Sequence, residues 1–427
     1  MSQNPYKKTV FQNGVRYIYI PQPEGLATTV LVLVSTGSEY ETKDINGISH
    51  FLEHLCFKGT KNRPTSNMIA EELDNLGAEY NAFTGSEVTG YYAKAANKNF
   101  DKILDVVSDL YLNPIVEQKE MDKERGVIIE EINMYEDLPM EKVRENFGAL
   151  LYGDQPAGWS IAGRKDVIQK LDRDDVLAYR NKHYVAAKTT VVVAGGISDP
   201  EELIRQKFSV IGDGEKILKP ETEEKQSSPA LSFQSKQTDQ AHLVLGVRAF
   251  DLFDPRRYAL SVMSDILGGG MSSRLFKKVR EEMGAAYYIR SSADLGSDCG
   301  ALIISTGIDK ERMTEIVSAI LSEMRKLTSE LVPEAELSRS KEHISGRMIL
   351  QLETSDELAG YYGSEEAMTG TVRTPGEILE NIRKVTAADI MAVAKDIMRD
   401  DRLNLAAIGP FKDGAEEEIK NILKLGL

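Results

Sequence analysis

Cysteine is nearly missing: Cys56 and Cys299 are the only two in 427 residues, too few for a disulfide framework. That scarcity suits a reducing compartment, and a cytoplasmic location is expected. Long apolar runs are missing as well. No stretch approaches the roughly 20 apolar residues that a bilayer crossing requires, so no membrane span is expected. The opening residues, Met1-Ser2-Gln3-Asn4-Pro5-Tyr6-Lys7-Lys8, lack the apolar segment of a secretory signal, and none is expected. Positive charge is in deficit, with 52 lysines and arginines against 67 acidic residues and a net charge of −15. Without a basic face, no nucleic-acid partner is expected. The acidity is compatible with attracting basic peptides, although acidic surfaces commonly serve solubility alone. Histidine is also scarce, and two of the five histidines stand four residues apart.

What is present is the balance of a folded protein, 41% apolar and 28% charged. The length exceeds one ordinary core and suits two domains. Asn13-Gly14 is a two-residue turn signal and predicts a hairpin over 8–20. The β-branched and apolar stretch 28–35 predicts a central strand. Helices are predicted over 50–57, over 66–76 with a stop at Gly77, and over 100–112 and 117–135. Residues 78–95 are strand-rich, and a last strand over 189–194 ends at Gly195-Gly196. The polar stretch from Lys219 to Pro229 has no periodicity and reads as a linker. Beyond it the order repeats: a strand over 241–247, helices over 257–267 and 273–282, strands over 285–307, a long helix over 310–327, further helices, and a strand over 403–408. Two halves with one element order suggest duplication. The expected fold class is α+β, with homologous domains at 1–215 and 233–427 joined by a polar linker at 216–232. Each domain is expected to be a mostly antiparallel sheet covered by helices.

The chemistry concentrates in His50-Phe51-Leu52-Glu53-His54. On a helix, residues four apart are offset by about 40° and roughly one turn, so both imidazoles can face one ion. Glu53 falls on the same side, placed to reach a water without being a ligand. The spacing is that of an inverzincin, the reverse of the commoner zincin order. Cys56, just beyond on the same helix, suits a buried small hydrophobe better than a ligand. The second half has no such histidine pair. Two histidines make too open a site, since catalytic zinc normally takes three protein ligands and leaves the fourth position to water. The acidic helix over 117–135 offers candidates. At about 100° per residue its apolar arc holds Met121, Val127, Ile128, Ile129, Ile132, Met134 and Tyr135. Glu124 and Glu131 fall within that arc, whereas Glu130 falls outside it. A carboxylate on a buried stripe is unfavourable unless a cation offsets it, which marks Glu124 and Glu131 as site residues.

These residues resemble the pitrilysin/insulinase metallopeptidases, and most closely their short-chain, processing-peptidase branch. The likeness rests on Gly47-Ile48-Ser49-His50-Phe51-Leu52-Glu53-His54-Leu55, on the segment from Glu124 to Glu131, on Gly77 to Thr84, and on Gly268 to Tyr287. It implies one zinc ion per chain on His50, His54 and Glu131, with Glu53 as general base and Glu124 supporting a ligand histidine. It implies oxyanion contacts from Arg280 and Tyr287, which, taken on their own residues, equally suit packing and capping. Asn81 and Ala82 match positions that bind substrate main chain by β-augmentation, although Asn81 alone also reads as a turn residue. Gly268, Gly269 and Gly270 resemble a shortened glycine-rich loop that contacts substrate. The implied function is a zinc metalloendopeptidase acting on unfolded or extended peptides inside a dimer chamber, with Arg280 and Tyr287 acting on the partner's zinc domain. A homodimer is expected because one chain carries both halves of the site. The alternative is a non-catalytic or processing subunit acting in a heterodimer with a distinct partner chain.

Overall fold

The computed structural model describes residues 5–426. Its first sheet contains β1 (Lys7–Val10), β2 (Arg16–Pro21), β3 (Ala27–Val34), β4 (Glu79–Thr84), β5 (Thr89–Ala96) and β6 (Thr189–Gly195), in the order β1-β2-β6-β3-β5-β4. Only β2 and β6 run parallel. β3 and β6 are apolar or β-branched nearly throughout and are buried on both faces, as inner strands of a sheet covered on two sides must be. β4 alternates between exposed and half-buried residues and forms the free edge. The second sheet contains β7 (Ala230–Ser235), β8 (Ala241–Arg248), β9 (Ala286–Leu295), β10 (Gly300–Ile308) and β11 (Leu403–Gly409), in the order β7-β11-β8-β10-β9. Its single parallel pair is β7 with β11. Without β1, the first sheet has the topology of the second. The fold is therefore α+β, with two mostly antiparallel sheets.

Helices α1 (Ile48–Cys56), α2 (Ser66–Asn75), α3 (Phe100–Leu112), α4 (Gln118–Asp137) and α5 (Pro139–Tyr152) follow in chain order. The chain forms two compact units that are not contiguous in sequence. The first takes residues up to Ile132, Trp159–Pro220 and Ile349–Thr374; the second takes Asn133–Gly158, Glu221–Met348 and the residues from Pro375 on. One face of the first sheet packs on α1 and α3. Its other face is covered by helix Ser355–Thr369, whose Ala359, Tyr362 and Ala367 lie on Ile18, Leu31, Leu33 and Val192. In the second unit α5 does the reciprocal job, laying Val143, Phe147 and Leu151 on Val244, Ala301, Ala406 and Ile408.

The continuous division at 1–215 and 233–427 therefore differs from the observed units by two exchanged helices. Element order cannot reveal the exchange, because a helix's apolar stripe does not say which sheet it covers. The segment 216–232 contains the crossing after Pro220, but its last three residues already belong to β7, pairing with Asn404, Leu405 and Ala406. The polar run before Ala230 hid that strand. The first hairpin forms, although Val10 pairs with Arg16, so its loop spans five residues rather than two. Residues 276–282, expected as α-helix, wind as a π-helix.

Candidate metal centre

Helix α1 is oriented by its apolar side. Ile48, Phe51, Leu52, Leu55 and Cys56 are fully buried, which leaves His50, Glu53 and His54 on the remaining arc. Its start requires glycine. Gly47 has φ 97°, and a Cβ there would stand 2.7 Å from Ile168 Cδ1 and 2.8 Å from the Ala162 carbonyl oxygen.

Three donor atoms converge from α1 and α4. His50 Nε2 lies 3.2 Å from His54 Nε2, and Glu131 Oε2 lies 3.7 Å and 3.5 Å from the two nitrogens. Ligands placed about 2.0–2.1 Å from a tetrahedral ion stand about 3.3 Å apart, so this triangle has the edges of a zinc face. Without a cation the two Nε2 atoms can share at most one N–H···N hydrogen bond, whereas a cation takes a lone pair from each and offsets the carboxylate beside them. The donor set fits zinc. A Glu53 oxygen also lies within 4.8 Å of both histidines, but Glu131 is closer and Glu53 is held aside by Thr84 Oγ1, which donates to it at 3.1 Å.

Glu124 is buried and uses both oxygens. Oε1 meets His54 Nδ1 at 2.8 Å and Oε2 meets Lys58 Nζ at 2.7 Å. Burial alone would raise its pKa, but His54 and Lys58 hold it below the ordinary range. It is thus an acceptor, His54 Nδ1 carries the proton, and Nε2 presents its lone pair to the centre. Burial, reinforced by His54, pushes His50 down to about 4, so this imidazole is neutral and free to ligate. His54 is held above its ordinary value; burial opposes this, but Glu124 and the charges of Glu53 and Glu131 prevail. Burial likewise raises Glu53 against the pull of His54 and Thr84, the direction a general base needs.

The apolar arc of α4 is narrower than its sequence suggests. Met121, Ile128 and Ile132 are buried with Glu124, whereas Val127, Met134 and Tyr135 are 51%, 49% and 39% exposed. Val127 and Met134 flank a stripe centred on Ile128 by about 100° or more, and Tyr135 lies past the last buried turn. Glu131 is half-buried beside Glu124, and Glu130 is exposed. Lys58 and Thr84 are the residues that sequence reasoning missed. Lys58 stands four residues past His54 and Thr84 closes the Gly77 to Thr84 segment, signals that point to them only once the site is assembled.

Asn81 and Ala82 lie on the edge strand β4. The Asn81 side-chain oxygen accepts from the Ala82 N–H at 2.9 Å, and Ala82 shares its face with Tyr80 and Thr84. The remaining expected residues belong to the second unit. There Arg280 donates to the Tyr287 carbonyl oxygen and lies over the Phe276 ring at 5.3 Å, while the Tyr287 side chain is exposed. Gly268 and Gly269 have a packing reason of their own. A Cβ would stand 2.4 Å from Ser291 N at the first and 2.1 Å from Asp265 Oδ1 at the second. Among the described residues, the one group of histidine, cysteine or acidic side chains clustered for a metal is the one on α1.

Residues 16–165 match the family model described as insulinase (peptidase family M16), and residues 170–344 match the peptidase M16 inactive domain. The chain belongs to this family. The M16 chain is 33% identical over 408 residues to the uncharacterized zinc protease YmxG of Bacillus subtilis, covering 95% of this chain and 98% of that one. It is 34% identical over 421 residues to an uncharacterized zinc protease of Rickettsia bellii, covering 96% and 98%. Its fold is that of a protease from Helicobacter pylori, with TM-score 0.87 at 23% identity over 95% of this chain and 99% of that one. An M16 inactive-domain structure from Pseudomonas fluorescens superposes with TM-score 0.87 at 16% identity, covering 95% and 98%. No helix among the described residues of this M16 chain is long and apolar enough to cross a membrane.

Proposed function

We propose that this M16 chain is a zinc metalloendopeptidase that hydrolyses extended or unfolded peptides. The observation that carries the reading is the triangle of His50 Nε2, His54 Nε2 and Glu131 Oε2, with edges of 3.2–3.7 Å. When bound there, zinc supplies Lewis acidity, polarising the scissile carbonyl and making a water acidic near neutral pH. Glu53 takes the proton from the attacking water and returns it to the departing amine. Glu124, held by Lys58, keeps the His54 proton on Nδ1 and the ring in its ligating orientation. The free edge of β4, with Asn81 and Ala82, accepts an extended peptide as an added strand. Backbone hydrogen bonds then supply affinity that tolerates many sequences.

Arg280 and Tyr287 stabilise the developing oxyanion from a second copy of the chain, making the active form a homodimer that encloses its substrate. Mixing Glu53→Gln chains with Tyr287→Phe chains then restores part of the lost activity; no recovery removes the sharing between chains. The test of the central reading is Glu53→Gln. It should retain zinc in elemental analysis, yet lower kcat on a mixed peptide library by about 10²–10⁴-fold, the usual contribution of a positioned base. Loss of zinc in that variant would make Glu53 a ligand and overturn the assignment of roles.

A further inference from the structure

We propose that Glu41 is a positioning residue for the metal centre, its buried carboxylate holding the first turn of α1 and thereby the bearing of His50. The inference rests on the zinc reading above. Glu41 is 1% exposed. Its Oε2 accepts from the Gly47 N–H at 2.7 Å and from Asn46 Nδ2 at 3.0 Å, and its Oε1 accepts from the Ser49 N–H at 2.8 Å. A helix leaves its first N–H groups without intrahelical partners, and α1 receives no side-chain cap from Gly47. A carboxylate six residues upstream of Gly47 fills that role, and its charge suits the positive end of the helix.

The attachment lies next to the ligand itself. Ser49 immediately precedes His50 and is held twice, its N–H by Glu41 and its Oγ by Tyr179 OH at 2.7 Å. The segment leading to Glu41 is in turn tied down. The Ser38 N–H donates to the Gly85 carbonyl oxygen at 3.3 Å and the Glu39 N–H to that of Ser86 at 2.9 Å. The turn that joins β4 to β5 therefore anchors, through Glu41, the helix end that carries His50. Burial pushes Glu41 up to about 7 while the N–H donors pull it down, as for a carboxylate whose partners are hydrogen-bond donors in a desolvated site. A glutamine here would turn an NH₂ group against an N–H donor on one side.

The experiment compares full-length wild type and Glu41→Gln by zinc affinity in chelator competition, by the visible spectrum of the cobalt(II) form, by kcat and KM, and by Tm. The expected result is zinc binding weakened about 10-fold, with an altered cobalt spectrum. That is the low end of the effect of losing a group bonded directly to a ligand, because Glu41 reaches His50 only through the Ser49 backbone. kcat should fall while KM stays within about twofold, because the β4 edge is untouched. A lower Tm with unchanged zinc affinity and cobalt spectrum would make Glu41 merely structural and overturn the proposal. Should Glu41→Gln not fold, Glu41→Asp, which keeps the charge but withdraws it from the N–H groups, carries the same readouts; unchanged zinc affinity there overturns the proposal equally. Wild type that binds no zinc would sink the metal centre itself, a failure distinct from that of Glu41.

Discussion

Apart from β1 the two sheets share one topology, yet among the described residues only the first unit assembles a triangle of donor atoms that fits a metal ion. In the first, α1 and α4 are joined by His54 and Glu124 at 2.8 Å. At the same places in the second unit, helices Arg257–Gly268 and Glu334–Gln351 are joined by Asp265 and His343 at 2.7 Å, with Ser340 Oγ also 2.7 Å from Asp265. The cross-helix histidine–carboxylate pair is present in both, with the two residue types exchanged between helices. What this place in the second unit lacks, among the described residues, is a second imidazole and a further carboxylate near enough to complete a donor triangle, since His242 lies elsewhere, on β8. A hydrogen-bonded pair is a packing device, whereas a metal centre needs three donors converging within bonding distance of one point.

The largest effect that tests this comparison comes from its two histidines. His54→Ala should abolish zinc retention and peptidase activity together, whereas His343→Ala should leave the zinc content unchanged, as elemental analysis of both purified variants would show. Zinc loss in the His343 variant would end the distinction between the units. Next come the exchanged helices. Tyr362→Ala and Phe147→Ala each empty a fully packed site and should each cost about 3–5 kcal/mol. The damage should cross the sequence, so that hydrogen exchange reports loosening of the first sheet for Tyr362 and of the second for Phe147. The opposite pattern would mean that each half of the sequence folds by itself.

A smaller effect is expected at Glu124. Glu124→Gln keeps the shape but loses the charge behind His54, and zinc affinity should fall about 10–100-fold in chelator competition. An unchanged affinity would mean that His54 needs no partner. The smallest effect contrasts the residues that lead into β6 and β11. Lys188 is fully buried, 3.1 Å from His183 Nδ1 and 4.0 Å from the centre of the Tyr40 ring, and burial pushes its pKa down to about 7 from 10.5. Its counterpart Arg402 is half-exposed, 3.9 Å from Asp396. Between pH 7 and 10.5 the unfolded chain binds a proton at Lys188 that the folded chain has released, so this residue makes stability rise with pH across that window. Lys188→Met should flatten the rise in Tm, and an unchanged slope would mean that the amine is charged in the folded state.

Much of the fold could be read from the chain because local patterns follow local rules. β3 announced itself as a β-branched and apolar run, α2 ended at the glycine that stops it, and the second half showed as a repeat of the first. β7 escaped because five half-buried residues and an exposed Ser235 beside a polar run carry little periodicity. The π-helical turn at Phe276–Glu282 also escaped, since an i to i+5 pattern leaves no compositional mark. At the candidate site, the His50 to His54 spacing and the position of Glu131 on its wheel were legible. Lys58, Thr84 and Glu41 were not, because each acts through a partner distant in sequence or held in a particular backbone geometry.

By itself, then, the sequence determined which residues have the chemistry for zinc, that they lie in the first half, and that the architecture repeats. Spacing on a helix and alternation on a strand are properties of neighbouring residues, and neighbours are what a sequence records. Only the tertiary structure decided that α4 brings Glu131 within 3.7 Å of both imidazoles, that Glu41 holds the start of α1, and that the outer face of each sheet is covered by a helix from the other half. Those outcomes depend on which apolar surfaces meet, and burial is a non-directional, long-range choice that no local pattern encodes.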